Sequence, residues 1–334
     1  MRILVTGGAG FIGSNFVRYW LERHPGDGIV VYDALTYAGN RASLADVDDA
    51  IGFVEGDICD GDLAASVMRD ERIDVVVNFA AESHNSLAVV EPGRFFRTNV
   101  LGAQALLEAA REAGIERFHH VSTCEVYGDL PLDSSDRFDE DSPYRPRTPY
   151  NASKAGADHA VRAYFETYRL PVTITNCSNN YGPYQFPEKV IPLFTTNALD
   201  DLPLPLYAST EHKREWLHVL DHCSAIDLVL RHGREGETYN VGSGREATIA
   251  EIADRVLELT GKPETLKQIV PDRPGHDRRY LLDSGKIREQ LGWEEAHDFE
   301  SGLADTVRWY AGNRKWWLPL KERAPVEESA AWSR

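Results

Sequence analysis

The chain has 334 residues, 42% hydrophobic and 27% charged, and its 53 acidic against 36 basic side chains leave a net charge of −17. That is the make-up of a globular chain with room for one large or two moderate domains, and its negative field excludes nucleic acid and anionic membranes as natural partners, so an anionic ligand needs a local basic pocket. Cys59, Cys124, Cys177 and Cys223 are widely spaced and form no Cys-x-x-Cys pair, which speaks against a metal site or a disulfide scaffold and fits a reducing cytoplasm.

The N-terminus enters a strand at once, over residues 3–5, and no apolar run approaches the roughly 20 residues of a bilayer span. The strand runs into Gly7-Gly8-Ala9-Gly10-Phe11-Ile12-Gly13, and a helical pattern follows over 14–23. Glycines at this spacing make a tight turn and let backbone N–H groups approach a pyrophosphate at the helix N-terminus. Gly7, Gly10, Phe11, Ile12 and Gly13 are therefore candidate cofactor contacts. The next strand, 29–32, ends at Asp33. A carboxylate there accepts both ribose hydroxyls and repels a 2′-phosphate, so NAD is expected over NADP. After a strand at 51–55, Asp57 and Ile58 are placed to meet the adenine. After another at 75–79, Ala80, Ala81 and Ser83 are expected to line the cofactor, with Asn99 a further candidate.

Helical patterns over 100–113 and 150–168 flank a strand at 118–122, which ends in Thr123-Cys124-Glu125. Tyr150 and Lys154 stand four apart, on one face of a helix. An ammonium beside a phenol favours the phenolate, so Tyr150 is a candidate base with Lys154 its support. Thr123 can hydrogen-bond a reacting hydroxyl, and Glu125 can remove a proton alpha to a ketone. An oxidoreductase or epimerase needs only the Tyr/Lys pair, and the additional acid–base group implies a second chemical step. A strand at 172–176 closes this half. Beyond residue 181 the rhythm breaks. Prolines and loops cluster at 182–192 and 202–207, a strand-like 215–220 and a helical 225–231 suggest a return to the sheet, and helices at 248–259 and 302–311 flank a loop at 271–277. The fold expected is α/β, a Rossmann-type doubly wound parallel sheet with a smaller C-terminal substrate-binding lobe. Residues 1–182 are read as the NAD-binding domain, with a return segment near 215–245, and 183–334 mainly as the lobe. The polar tail 324–334 is expected to be loose.

Several stretches resemble the nucleotide-sugar 4,6-dehydratases, most closely the dTDP-glucose enzymes: 6–13, 80–84, 122–130, 150–154, 299–310 and, most specific of all, 176–192 and 272–280, with Asn176-Cys177-Ser178-Asn179-Asn180-Tyr181-Gly182-Pro183 and Asp272-Arg273-Pro274-Gly275-His276-Asp277-Arg278-Arg279-Tyr280. The resemblance implies an ordered cycle. Hydride leaves sugar C4 for NAD as Tyr150 takes the hydroxyl proton, Glu125 removes the C5 proton, water leaves C6, and hydride returns to C6. It also implies a nucleoside-diphosphate hexose (dTDP- or UDP-linked) as substrate, with Ser83 and Thr123 near the hexose and Asn179, Lys189, Arg214, Asn240, Arg273 and His276 holding diphosphate and nucleoside. A homodimer through the helices at 100–113 and 150–168 is implied as well.

The chain departs from the family at two places. Cys124 stands where the dTDP-glucose enzymes have the aspartic acid that helps expel water, and Asn85-Ser86-Leu87-Ala88 replaces Val-Asp-Arg-Ser. A thiol stays protonated at neutral pH and can donate, so Cys124 joins the catalytic candidates. The stretch Ser-Thr-Cys-Glu-Val-Tyr-Gly also resembles the UDP-N-acetylglucosamine 5,6-dehydratase of tunicamycin-type biosynthesis, which returns hydride to C4 and leaves an alkene. That product, a C4-epimerase and a nucleotide-sugar sensor without turnover are the alternatives to 4,6-dehydration.

Overall fold

The computed structural model describes residues 1–323; the tail expected to be loose lies outside the described residues. In chain order the first half builds β1 (Arg2–Thr6), α1 (Phe11–Arg23), β2 (Gly28–Asp33), β3 (Gly52–Glu55), α2 (Gly61–Asp70), β4 (Val75–Asn78), α3 (Asn85–Val90), α4 (Pro92–Phe95), a π-helical segment at Phe96–Gly102, α5 (Ala103–Ala113), β5 (Arg117–Thr123), α6 (Pro149–Tyr168) and β6 (Val172–Cys177). The second half adds β7 (Asn179–Tyr181), α7 (Val190–Leu199), β8 (Leu204–Tyr207), β9 (Lys213–His218), α8 (Val219–His232), β10 (Thr238–Val241), β11 (Glu246–Thr248), α9 (Ile249–Thr260), β12 (Lys267–Val270), α10 (Gly285–Leu291), α11 (Phe299–Gly312) and α12 (Arg314–Lys321).

Seven strands form one parallel sheet in the order β10-β6-β5-β4-β1-β2-β3. The β-branched runs of β1, β2 and β4 explain it, since strands buried on both faces need apolar residues at every position. Leu4, Val30 and Val76 face one way and pack under Leu106 and Leu107 of α5 and Val161 of α6. Ile3, Val5, Val31 and Val77 face the other way, against Phe16, Val17 and Trp20 of α1 and Ile226 of α8. A helix of α1's length is marginal alone. Burying three large apolar side chains, at about 1.5–3 kcal/mol each, fixes it to the sheet. The strand order reverses direction between β1 and β4, so a crevice opens outside their carboxyl ends, where such sheets hold ligands.

The lobe has its own core, in which Ile191 and Phe194 of α7 meet Ile252 and Val256 of α9 and Leu303 of α11. Three expectations need correction here. The strand expected at 215–220 forms, as β9, but it pairs with β7 and β11 in a three-stranded sheet. Its buried Arg214 and Glu215 are paired there: Arg214 donates to the carbonyls of Lys213, Asp277 and Arg278, and Glu215 accepts the N–H groups of Gly244 and Leu282. The strand that rejoins the main sheet is β10, beside β6. The two proline-rich loops also carry elements. Pro192 sits in the first turn of α7, where its missing N–H costs nothing, and β8 pairs with β12 in a two-stranded sheet whose edges tolerate Pro205.

Candidate active site

A cavity of about 440 Å³ lies at the carboxyl ends of the sheet strands, between the sheet and the lobe. Gly7, Gly10, Phe11, Ile12, Gly13, Asp33, Asp57, Ile58, Ala80, Ala81 and Ser83 all stand on its wall. A Cβ on Gly13 would collide with the Gly7 carbonyl oxygen, and Gly7 itself has φ +67°, so the turn closes only with glycine at both. Gly10 begins α1 with no side-chain cap, and the first turn carries no acid. Its N–H groups and the positive end of the helix dipole are thus open toward the cavity, as a pyrophosphate requires. Asp33 accepts N–H bonds from Ala9 (2.9 Å) and Leu35 (2.8 Å), while burial pulls its pKa upward against them. Asn99 is not on the wall. It is buried behind it, accepting from the Glu82 N–H (2.8 Å) and donating to the Glu82 carbonyl (3.0 Å) and Ser153 Oγ (2.8 Å), so it braces the loop after β4.

The chemistry gathers where β5 meets α6. β5 ends at Thr123, whose Oγ1 accepts the Glu125 N–H (3.3 Å) and folds the chain into a short 3₁₀ turn. Thr148 caps α6, accepting the Asn151 N–H (3.2 Å), with Pro149 as the first helical residue. Thr123, Glu125, Tyr150 and Lys154 all reach the cavity. Lys154 Nζ donates to the Val121 carbonyl (2.8 Å) and lies 3.3 Å from His120 Nε2. Burial lowers its pKa and Asp158 opposes the fall. The expected lowering of the Tyr150 pKa is absent: burial and the nearby Glu125 carboxylate push it well above the phenol range. Asp277 joins the cavity wall with its pKa raised to about 6 by burial and by Glu125.

Cys124 departs from expectation. The 3₁₀ turn sends its side chain away from the cavity into a cluster with Val126, Tyr127, Ala155, Tyr280 and Leu282, fully buried, and burial drives the thiol pKa well up. In this position it packs behind the cavity wall.

On the lobe side, Asn179, Lys189, Arg214, Arg273 and His276 line the cavity. Lys189 Nζ donates to the Ser83 carbonyl (2.7 Å), which bridges the two halves. Arg214 stacks over Tyr280, 4.8 Å from the ring centre, and the buried Arg273 Nε has no hydrogen-bond partner among the described residues. A basic group left this way is fitted to an anion. His276 is held neutral, its pKa brought down to about 2 by burial and by Arg214 and Arg273, so it serves as a hydrogen-bonding group and not as a cation. Asn240 is a third residue, after Asn99 and Cys124, that the fold keeps off the cavity wall. It is fully buried on β10, accepting from Tyr127 Oη (2.8 Å) and donating to the Phe138 carbonyl (3.0 Å), away from the cavity. Residues the sequence reading missed include Tyr37, which bonds Glu188 (3.0 Å) across the cleft mouth, and Tyr207, edge-on to His276 at 5.0 Å. Neither carries a motif. Asn85, also on the wall, lies in a stretch already notable for departing from the family pattern.

A glycine turn opening α1, an acid closing β2 and a Tyr/Lys pair on the same cleft define an extended short-chain dehydrogenase with a basic ligand lobe. The comparisons with known proteins narrow this class. Residues 4–306 match the family described as GDP-mannose 4,6 dehydratase. The dTDP-glucose 4,6-dehydratase of Streptomyces niveus is 49% identical over 327 residues, 96% of each chain. The crystal structure of DesIV, the dTDP-glucose 4,6-dehydratase of Streptomyces venezuelae with NAD and TYD bound, superposes with a TM-score of 0.92 at 52% identity, covering 96% of this chain and 100% of that one. The NAD complex of the Bacillus anthracis dTDP-glucose 4,6-dehydratase gives 0.89 at 47% identity, covering 96% and 99%. The chain belongs to the dTDP-glucose 4,6-dehydratase-like family of nucleotide-sugar dehydratases.

Proposed function

We propose that this chain is an NAD-dependent hydro-lyase converting a nucleoside-diphosphate hexose, with dTDP-glucose the nearest substrate, to the 4-keto-6-deoxy sugar. One observation carries the reading: Thr123, Glu125, Tyr150 and Lys154 share one cleft between the uncapped end of α1 and the basic wall of Lys189, Arg214 and Arg273. The glycine turn, Asp33, Asp57 and the loop after β4 would hold NAD. When bound, NAD supplies the acceptor, and later the donor, of the sugar's hydride, together with a positive ring charge that favours phenolate.

Lys154, fixed on the Val121 carbonyl, sets a second positive charge on the Tyr150 face of α6. Tyr150 takes the proton of the C4 hydroxyl as that carbon is oxidised, while Thr123 hydrogen-bonds the same oxygen. The ketone acidifies C5–H. Glu125 removes that proton and passes it to the C6 hydroxyl, which leaves as water, so one carboxylate serves as base and then as acid. The enone that remains takes back the hydride at C6 and a solvent proton at C5, and Tyr150 gives up to solvent the proton it took from the C4 hydroxyl, which balances the conversion. Cys124 has no part in this sequence, and the alkene-forming alternative loses the residue that suggested it. The nucleotide and diphosphate are assigned to Asn179, Lys189, Arg214, Arg273 and His276. The division into an NAD-binding part at 1–182 with a return near 215–245 and a lobe at 183–334 belongs to this proposal. So does a cytoplasmic setting, supported by four free thiols, and a homodimer, supported by Leu101 and Tyr168 exposed at 62% and 54% within the two stretches the family uses for pairing. Incubation with dTDP-glucose should yield a product lighter by one water with no net consumption of NAD. An isomer of unchanged mass would overturn the reading in favour of epimerisation.

A further inference from the structure

Glu125 is anchored at its backbone by Thr123, but its carboxylate sits beyond three rotatable bonds, and a base that must meet one C–H needs a second point of attachment. Asn85, the first residue of α3, provides it. Its Nδ2 lies 3.3 Å from Glu125 Oε2 and 3.5 Å from Oε1, and both residues stand on the cavity wall. The Asn85 Oδ1 in turn faces the hydroxyl of Thr148 at 3.5 Å. That hydroxyl lies 2.7 Å from Asn151 Oδ1, and Asn151 Nδ2 donates to Asp277 Oδ2 at 3.2 Å. A chain of polar contacts therefore runs from the lobe segment carrying His276 and Asp277, across the N-terminus of the helix bearing Tyr150, to the carboxylate of Glu125. An amide suits this position because its Nδ2 presents a neutral donor to the carboxylate. A carboxylate there would repel Glu125, and an apolar side chain would leave its head without this donor.

We propose that Asn85 is a positioning residue for proton abstraction at C5, holding the Glu125 carboxylate in the attitude from which it reaches the sugar. The inference rests on the assignment of Glu125 as the base. The test compares Asn85→Leu, Asn85→Asp and Glu125→Gln in the full-length protein with dTDP-glucose in deuterated water at mildly alkaline pH. Three quantities are read: reduction of bound nicotinamide, deuterium entering C5, and KM. For Asn85→Leu, C5 exchange and turnover should fall about 10–100-fold, the cost of misplacing a reacting group by about 1 Å, with nicotinamide reduction and KM held within about 3-fold. Asn85→Asp, nearly the same shape, should lose more C5 exchange than Asn85→Leu, because charge and not volume decides. A space-filling role predicts the opposite order and overturns the proposal, as does a fall of nicotinamide reduction in step with C5 exchange. If Asn85→Leu does not fold, Asn85→Asp alone decides, since C5 exchange within about 2-fold of the unmodified protein rules out the positioning role. Should Glu125→Gln keep full C5 exchange, the base assignment itself fails. Should it abolish exchange while both Asn85 variants keep it, only the present inference fails.

Discussion

Tyr150 is a base that the folded chain alone does not make basic. Burial and the Glu125 carboxylate hold the phenol protonated, so phenolate requires the positive charges of Lys154 and of a bound cofactor. Tyr150→Phe should therefore bind NAD and dTDP-glucose yet show no absorbance of reduced nicotinamide on mixing; normal reduction would remove Tyr150 from the first step. The neighbouring cysteine gives the opposite expectation. Because Cys124 packs among apolar side chains behind the wall, Cys124→Ala should keep turnover within about 3-fold while costing about 1–2 kcal/mol of stability by urea unfolding, the range for a small buried truncation. Loss of turnover with stability intact would return the thiol to the chemistry. The Tyr-x-x-x-Lys spacing marked Tyr150 and Lys154 as candidates and the strand end marked Glu125, and the fold brings all three to one cavity. The fate of Cys124 was not legible in the sequence, because consecutive residues of a 3₁₀ turn point to different sides and only the tertiary fold says which side is the cleft. Asn99 and Asn240 were misplaced for a related reason: an amide near a ligand and an amide bracing a loop look alike until their partners are seen.

At the scale of elements, the sheet was readable because strands buried on both faces announce themselves as β-branched runs, as in Val75–Asn78. Short polar strands do not, so β10, with Thr-Tyr-Asn-Val, was missed although it closes the sheet beside β6. Helix α7 was hidden by Pro192, a residue that breaks helices everywhere except in their first turn. The union of β1 with α1 through the glycine turn is the element on which cofactor binding depends. Gly13→Ala places a methyl against the Gly7 carbonyl oxygen, and backbone, unlike a side-chain tip, has nowhere to go. NAD affinity, followed by fluorescence titration, should fall at least about 10-fold, equivalent to 1.4 kcal/mol or more; unchanged affinity would mean that the turn does not approach the cofactor.

Across the whole molecule, burial of ionisable groups predicts how stability follows pH. Burial lowers the pKa of seven histidines: to about 3 for His84, His119 and His222, about 4 for His218 and about 2 for His276, with His120 and His212 moved in the same direction. Each binds its proton in the unfolded chain near pH 6.5 but only at a lower pH in the folded one, so its contribution is complete above 6.5 and is lost as pH falls toward the folded value. Glu215 and Asp277, raised to about 7 and about 6, act in the opposite sense, and so do Asp33, Glu82, Glu140 and Asp158, which burial also pushes upward. The two sets oppose each other, so the contribution of one group is read by removing it: between about pH 6.5 and 5, His119→Asn, which removes a fully buried ring lying between Thr173 and Thr175, should lessen the rise of stability with pH by about one proton, roughly 1.4 kcal/mol per pH unit. Urea midpoints across this range check it, and an unaltered slope would show that His119 titrates alike in both states.

4,6-Dehydration is distinguished by where the hydrogen removed from C4 ends its journey. Proton NMR of the product formed from dTDP-glucose deuterated at C4 reports this directly. The expected product is a 6-deoxy sugar whose methyl group carries the deuterium. Two exocyclic vinyl signals, with the label back at C4, would contradict it.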